Sequence, residues 1–256
     1  PILMTNTLSV GTAAEALVKY MLKDNPDIGV ETGTVNCVVT ECNDGRLNDI
    51  RGLHVKEEHV NEAINNASED FEEGAVGGGT GMVCLGLKGG IGSASRVIPV
   101  DGKDYTVGAI VMSNFGSSGN LVIGGDHIGA RIKERMEQES KKDLGSIIIV
   151  VGTDLPLSDR QLNRVARRAA AALGRVGSYM GNGSGDVVLS FSTGNILSHY
   201  SEKDIIDIKV MYDENIDKVF ESAVEAVEES IISALYHAET TTGFRGNKYY
   251  SLREFL

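Results

Sequence analysis

Apolar residues recur along the chain with two spacings, and segments of the two kinds alternate. A spacing of three to four residues is typical of a helix with one buried face, whereas alternation or an unbroken β-branched run is typical of a strand. The helical spacing covers residues 12–23, 57–68, 158–174 and 216–238. Strand-like runs cover residues 34–41, several glycine-joined runs within 74–128 (including NLVIGG at 120–125), the IIIVV after Ser146, and 186–193. Strands grouped in blocks with helices outside them predict an α+β fold with two layered sheets, which we interpret as one domain over residues 1–256.

Two segments in the second half of the chain have more detailed signals. Ser158 and Gln161 form a capping box that opens the clearest helix, and Gly174 is expected to end it. The densely charged residues 130–143 predict a solvated helix or a mobile loop. The apolar run that follows this segment is typical of a central, buried strand.

Composition excludes several classes of function. The formal net charge is −12, so the surface repels phosphate backbones and no nucleic-acid partner is expected, whereas ligands with a free ammonium group suit it. The chain has no run of about 18 apolar residues, and no membrane association is expected. Cys37, Cys42 and Cys84 are too few for a disulfide framework, and we expect three reduced, partly buried thiols.

Several familiar motifs fail when their spacing is tested. The glycine-rich stretch ending at Lys88 lacks the Gly-Lys-Ser/Thr sequence of a phosphate loop. His54 and His59 are five residues apart, which is the wrong spacing for a helical zinc site. The remaining histidines are scattered, so neither a Ser-His-Asp triad nor a metal or organic cofactor is expected.

The junction between Gly145 and Ser146 suggests a different chemistry. A charged segment runs into a glycine, a serine and then a predicted core strand. The Ser146 hydroxyl could attack the Gly145 carbonyl, and hydrolysis of the resulting ester would leave Ser146 as a new N-terminus. Its α-amine, with a pKa near 7.7–8.0, can act as base for its own hydroxyl at neutral pH. An ordinary turn before a strand is the alternative that the residues leave open.

Three further polar residues could complete such a site. Ser184 and Asp186 are framed by glycines before another predicted strand, where they could hold and orient an amine. Asn114 ends the apolar strand VGAIVMS, where its amide could donate a hydrogen bond to an oxyanion. Equally plausible are a polar loop at 184–186 and a turn residue at Asn114.

The chain resembles the L-aminopeptidase/D-esterase-amidase family, which includes the β-peptidyl aminopeptidases. Six ordered blocks carry the resemblance: TNTLSVG at 5–11, ECNDGRLNDIRGLHV at 41–55, GGGTGMVCLGLKGGIGSASR at 77–96, VGAIVMSNFG at 107–116, GSIIIVVGTDLPLSDRQLNRVARRAA at 145–170 and GNGSGDVVLSFSTGN at 181–195. Members are self-cleaving hydrolases with an N-terminal nucleophile.

The resemblance implies a four-layer αββα sandwich and a cut between Gly145 and Ser146, giving parts 1–145 and 146–256. It implies that Ser146 is the nucleophile, that Asn114 stabilises the oxyanion, and that Ser184 and Asp186 position the amine and hydroxyl of Ser146. Glu41 matches the residue that holds the substrate's free amino group. Cys42 and Asn43 stand where some relatives have an aromatic residue, which puts the shape of the substrate pocket in question.

The resemblance also sets expectations for the whole protein. Substrates would be short peptides, amino-acid amides or esters with a free amine, with D- and β-residues included, and the cleaved protomers would form a homo-tetramer. An N-terminal part of the fold is expected to precede Pro1. The location stays open, with the cytoplasm favoured. The alternatives are an acyltransferase like the ornithine acetyltransferases and an uncleaved, non-catalytic binder of small molecules.

Overall fold

The first elements form a parallel βαβ unit followed by a short helix. The computed structural model describes residues 1–136, 145–201 and 203–256. Strand β1 (Ile2–Asn6) pairs in parallel with β2 (Val38–Cys42), and helix α1 (Val10–Asp24) connects them. Helix α2 (Glu57–Asn65) packs against α1 in a small apolar cluster around Ala13, Ala16 and Val60. The predicted strand at 34–41 therefore begins later than expected, and the predicted helix at 57–68 ends earlier.

The remaining elements include the four-stranded sheet that carries the predicted site, together with two small two-stranded sheets and three helices. Their bounds, in chain order, are β3 (Val83–Cys84), β4 (Leu87–Lys88), β5 (Gly90–Val100), β6 (Lys103–Asn114), α3 (Ile128–Arg135), β7 (Ser146–Thr153), α4 (Asp159–Arg175), β8 (Gly185–Ser192), α5 (Asp217–His237), β9 (Thr241–Thr242) and β10 (Lys248–Tyr249). Four of them form one sheet in the order β5-β6-β7-β8. Strands β5, β6 and β7 are successively antiparallel, and β8 is parallel to β7.

Both faces of the four-stranded sheet are covered near β7. Helices α4 and α5 pack on one face, where Ile147, Ile149 and Val151 join the main apolar cluster. Ile148 and Val150 point to the other face and pack with Cys42 of β2. This two-sided burial explains the unbroken apolar run that follows Ser146. The predicted mixed α/β fold is confirmed, while the complete four-layer sandwich and the preceding segment stay predictions.

The capping box predicted at the start of α4 is confirmed. Ser158 Oγ accepts a hydrogen bond from the Gln161 backbone, and the Gln161 side chain accepts one from the Ser158 backbone. Two other local predictions differ from the structure at glycines. Helix α4 continues past Gly174, and Gly177, with φ +95°, follows its end. The predicted strand at 120–125 is wrong, because Gly124 and Gly125 both have positive φ and turn the chain there.

Only the beginning of the charged segment 130–143 lies within the described residues. Helix α3 confirms a helix at its start, and residues 137–144 lie outside the described residues. No helix in the described part of the chain combines the length and the apolar character that crossing a membrane requires.

Candidate active site

Three elements meet at the beginning of β7, and they bring together residues from three distant parts of the sequence. Ser146 is the first residue of β7, and it pairs with Asn114, the last residue of the antiparallel β6. On its other side Ser146 pairs with Gly185, the first residue of the parallel β8. Because directly paired residues point to the same face of a sheet, the side chains of Ser146 and Asn114 share one face.

The peptide bond before Ser146 is held closely by its neighbours. The Gly145 carbonyl oxygen accepts a hydrogen bond of 3.0 Å from the backbone N–H of Gly185. A Cβ added to Gly145 would lie 2.1 Å from the Asn114 carbonyl oxygen and 2.7 Å from Cα of Phe115. Only glycine fits this position, so residue 145 is fixed by close packing of the backbone.

The Asn114 side chain is buried and held in one orientation. Its Oδ1 accepts a hydrogen bond of 2.9 Å from the Val83 backbone N–H, and its Nδ2 donates one of 3.0 Å to the Asn43 carbonyl. Only 5% of Asn114 is exposed. The Asn114 amide nitrogen has a second N–H. Because the Asn114 and Ser146 side chains lie on the same face of the sheet, this N–H is a donor beside the serine.

Ser184 and Asp186 form a hydrogen-bonded pair at the same end of the sheet. Ser184 Oγ donates to Asp186 Oδ1 at 2.6 Å. Asp186 pairs with Ile147, so strand alternation turns it to the face opposite the Ser146 hydroxyl. The Asp186 charge acts on the Cys42 thiol, which contacts the Ser146 side chain, so the pair lies close to the predicted nucleophile.

Cys42 contacts the predicted nucleophile, and sequence reasoning did not assign it a role. Its thiol is fully buried, forms a hydrogen bond with the Ser146 side chain and lies 3.7 Å from the Met112 carbonyl oxygen. Burial raises the pKa of the Cys42 thiol to about 12, so the thiol is neutral. Cys37, Cys42 and Cys84 form no disulfide in the described structure, in line with the expected reduced thiols. The one feature of the sequence that could have drawn attention to Cys42 is its position directly after Glu41 in one of the blocks that match the family.

Glu41 occupies a different surface from the other predicted residues. It pairs with Thr5 on the face of β1 and β2 that α1 covers, and its carboxylate accepts a hydrogen bond from the Thr7 hydroxyl. Cys42, the next residue, points towards β7. The Glu41 charge still acts on the Cys42 thiol, so the carboxylate lies near the site without facing Ser146 directly.

The arrangement can therefore support acyl transfer from its own side chains. It combines a serine at a strand end, an oriented amide, and a serine–carboxylate pair at the same end of the sheet. Within the described ranges of the chain, no group of three or more His, Cys, Asp or Glu side chains is placed to hold a metal ion.

Comparison with known proteins supports the resemblance found in the sequence. The profile of peptidase family S58 matches residues 1–249. The β-peptidyl aminopeptidase BapA of Sphingosinicella microcystinivorans is 40% identical over 96% of this chain, which spans 65% of that relative's length.

Two solved structures are similar along nearly the whole chain, each matching 97% of it. The PH0078 protein of Pyrococcus horikoshii OT3 is 53% identical with a TM-score of 0.91, and the match covers 68% of that protein. The L-aminopeptidase D-Ala-esterase/amidase of Ochrobactrum anthropi, a prototype serine aminopeptidase with a variant of the Ntn hydrolase fold, is 37% identical with a TM-score of 0.87, over 69% of its chain. On the family profile and these matches, the chain belongs to peptidase family S58.

Proposed function

We propose that this protein is a self-processing aminopeptidase or amidase that acts on short peptides, amino-acid amides or esters with a free amine. Membership of peptidase family S58 supports a hydrolase of peptide or amide bonds. The named relatives, a β-peptidyl aminopeptidase and an L-aminopeptidase D-Ala-esterase/amidase, support a substrate with a free N-terminal residue, with β- and D-residues included.

The first step is cleavage of the chain by its own serine. The Ser146 hydroxyl attacks the Gly145 carbonyl carbon, the bond from that carbon to the Ser146 nitrogen breaks, and an ester forms while the nitrogen takes the proton. Water then hydrolyses the ester, which leaves a carboxylate on Gly145 and a free amine on Ser146. The Gly185 N–H donates to the Gly145 carbonyl oxygen and so lies where negative charge develops in this step.

The same serine then acts on foreign substrates. The Ser146 α-amine accepts the hydroxyl proton as Oγ attacks the substrate carbonyl, and it returns a proton to the leaving amine. Water releases the acyl group from Ser146 in the second half of the cycle. Because the amine must be neutral to act as a base, kcat is expected to rise as the pH passes through about 8.

The other site residues have supporting roles in this proposal. The second N–H of Asn114 donates to the developing oxyanion. Ser184 and Asp186 position the amine and the hydroxyl of Ser146, which their hydrogen-bonded pairing at the same end of the sheet supports. Glu41 binds the substrate's ammonium group. Its carboxylate lies near Ser146, although it points to the other face of β2.

One observation carries the proposal most strongly. Ser146 begins the central strand between Asn114 and Gly185, and the carbonyl that it would attack already accepts a hydrogen bond from Gly185. Close packing requires a glycine at residue 145, and an oriented amide lies beside the serine. An ordinary turn before a strand would need neither feature.

A kinetic comparison tests the hydrolase directly. Wild-type protein, Ser146→Ala and Ser146→Cys are assayed with L-alanyl and β-homoalanyl p-nitroanilides and with the N-acetylated forms. We expect hydrolysis of the free-amine substrates by wild type, no hydrolysis by Ser146→Ala, and residual hydrolysis by Ser146→Cys because a thiol can replace the hydroxyl as nucleophile.

Equal rates for wild type and Ser146→Ala would overturn the proposal. Equal rates with free and N-acetylated substrates would remove the aminopeptidase assignment and leave a general amidase. Transfer of the acyl group to added amine in preference to water would favour the acyltransferase alternative. The homo-tetramer stays a prediction, which light scattering of the purified protein tests.

A further inference from the structure

A buried lysine lies in the hairpin formed by β3 and β4, close to the candidate active site. Lys88 is fully buried. Its ammonium group donates hydrogen bonds to the carbonyl oxygens of Gly79 at 3.0 Å, Met82 at 2.9 Å and Gly89 at 2.6 Å. An ammonium group has three N–H donors, so all three are used by neutral carbonyls rather than by a carboxylate.

This position is energetically unfavourable for a cation. Burial lowers the pKa of Lys88 to about 8 from 10.5, and the neighbouring Cys84 opposes that fall. At pH 7 the ammonium group therefore still carries its charge in most of the protein. A methionine has a similar length and would fill the same space without taking a charge out of water. A cation that is kept at this cost indicates that its charge has a use here.

The hairpin holds Lys88 against the end of β6. Lys88 pairs with Val83 across the hairpin. A Cβ added to Gly89 would lie 2.3 Å from the Ser113 carbonyl oxygen, so the backbone directly after Lys88 packs on β6. The next residue of β6 is Asn114, which supplies the amide of the candidate site.

A continuous chain of hydrogen bonds leads from Lys88 to that amide. Lys88 Nζ donates to the Met82 carbonyl oxygen at 2.9 Å. The N–H of the same peptide bond belongs to Val83, and it donates to Asn114 Oδ1 at 2.9 Å. A peptide bond whose oxygen faces a cation is polarised and becomes a stronger N–H donor, and hydrogen-bonded groups in series strengthen one another in this way. The Asn114 amide at the end of the chain is polarised in turn, which makes its own N–H groups stronger donors.

The far end of this chain is the group proposed to stabilise the oxyanion. One N–H of Asn114 Nδ2 donates to the Asn43 carbonyl at 3.0 Å, and the second lies on the face that Asn114 shares with Ser146. Complete loss of an oxyanion donor typically lowers kcat by about 10²–10³-fold. Weakening the donor, without removing it, should therefore lower kcat by about tenfold.

We propose that Lys88 is a positioning residue for the reaction at Ser146, and that its ammonium group orients and polarises the Asn114 amide through the Met82–Val83 peptide bond. This inference rests on the hydrolase activity proposed above. Lys88 does not touch the substrate, because its three N–H groups are used by backbone carbonyls. Its removal should therefore lower kcat and leave KM unchanged.

Nitrogen-15 NMR of the full chain carrying Ser146→Ala tests the coupling without any activity. The signal that Asn114→Ala removes identifies the Asn114 side-chain amide. We expect Lys88→Met to move the proton signals of this amide upfield, as its polarisation is lost. Lys88→Gln, which keeps an N–H donor without the charge, should move them in the same direction. Lys103→Met, at the exposed first residue of β6, is the matched control and should leave them in place.

A double-mutant cycle then tests the role in the reaction. The kcat for an alanyl p-nitroanilide is measured at pH 7 and expressed per cleaved protomer, counted by intact mass spectrometry. We expect Lys88→Met to lower kcat about tenfold with KM unchanged. In an Asn114→Ala protein the same change should lower kcat by less than about twofold, because the group through which Lys88 acts is gone. Lys103→Met should leave both constants unchanged.

Three results would overturn the proposal. They are an Asn114 amide signal that does not move in Lys88→Met, a wild-type kcat in Lys88→Met or Lys88→Gln, and a tenfold loss that persists in Asn114→Ala. If neither Lys88→Met nor Lys88→Gln folds, Lys88 is a structural residue and the proposal is likewise wrong. Failure of the proposed function looks different, because an inactive wild type whose amide signal still responds to Lys88→Met would remove the hydrolase and keep the coupling.

Discussion

The strand end at Ser146 and the loop around Asp44, which follows β2, differ in how their buried polar atoms are satisfied. At the strand end the side chains of Asn114, Cys42 and Ser184 each have a hydrogen-bond partner within the protein. Asp44 is buried as well, but its Oδ1 is sealed from solvent without a hydrogen bond of good geometry, while its Oδ2 accepts one from Asn48. Groups that stabilise a transition state work best when they are oriented in advance, whereas a buried acceptor without a good partner lowers the free energy of unfolding. The contrast suggests that the first region is organised for chemistry.

The largest effect is expected from removing the oriented amide. Asn114→Ala deletes the proposed oxyanion donor, and loss of one such donor typically lowers kcat by about 10²–10³-fold. Steady-state kinetics with an alanyl p-nitroanilide measure the effect. Asn163→Ala, at an exposed position on α4, is the matched control and should change kcat little. An Asn114→Ala enzyme with wild-type kcat would show that the amide is only structural.

Lys88 is a buried charge that does have partners, and it sharpens the contrast with Asp44. Its ammonium donates to the carbonyls of Gly79, Met82 and Gly89, yet burial lowers its pKa to about 8 from 10.5. Between pH 8 and 10.5 the unfolded chain holds the proton more tightly than the folded protein, so this group makes the free energy of unfolding rise with pH. The rise is at most about 3 kcal/mol.

Urea unfolding from pH 7 to 10.5 compares wild type with Lys88→Met. The buried Cys42 thiol has a raised pKa and acts in the opposite direction at high pH, so the difference between the two proteins is the informative quantity. We expect the wild-type free energy of unfolding to rise relative to that of Lys88→Met over this range. Parallel curves would mean that the Lys88 pKa is not lowered in the folded protein.

A smaller effect is expected from neutralising Glu41, the proposed ligand of the substrate's ammonium group. Glu41→Gln should raise KM for a free-amine substrate about tenfold and leave kcat little changed. This is the lower end of the effect expected from losing one charge-assisted hydrogen bond, which contributes roughly 1.5–3 kcal/mol. Glu15→Gln, on the exposed face of α1, controls for the general loss of negative charge. An unchanged KM in Glu41→Gln would assign ammonium binding to another group.

The smallest effect is expected at Cys42, which contacts Ser146 but takes no part in proton transfer because its thiol is neutral. Cys42→Ala removes the hydrogen bond to Ser146 and should lower kcat a few-fold without changing KM. Cys42→Ser, which restores a hydrogen-bonding group, should recover most of the loss. Equal kcat in all three proteins would show that the contact only fills space.

The strand ends at Asn114 and Ser146 could be predicted from the sequence, and the structure pairs these two residues. The apolar runs that end at Asn114 and begin at Ser146 are long and unambiguous, and antiparallel pairing places those two residues side by side. The direction in which the Glu41 side chain points could not be predicted. In VVTEC, burial does not alternate from residue to residue, since Val38 is exposed, the next three residues are half-buried and Cys42 is buried.

The burial of Asp44 could not be predicted from the sequence either. The stretch NDGRLN reads as a turn in which an aspartate caps the backbone, and Asp44 does accept a hydrogen bond from Asn48. That Asp44 is also buried against Asn6 depends on contacts between segments far apart in the chain. Long-range packing of this kind leaves no local pattern.

Intact mass spectrometry of the purified wild-type chain beside Ser146→Ala tests the central claim most directly. For the chain of 256 residues the account predicts two wild-type fragments, of 145 and 111 residues, and a single uncut Ser146→Ala chain. An uncut wild-type chain that still hydrolyses alanyl amides would contradict the N-terminal nucleophile. Cleavage of Ser146→Ala at the same bond would show that another protease makes the cut.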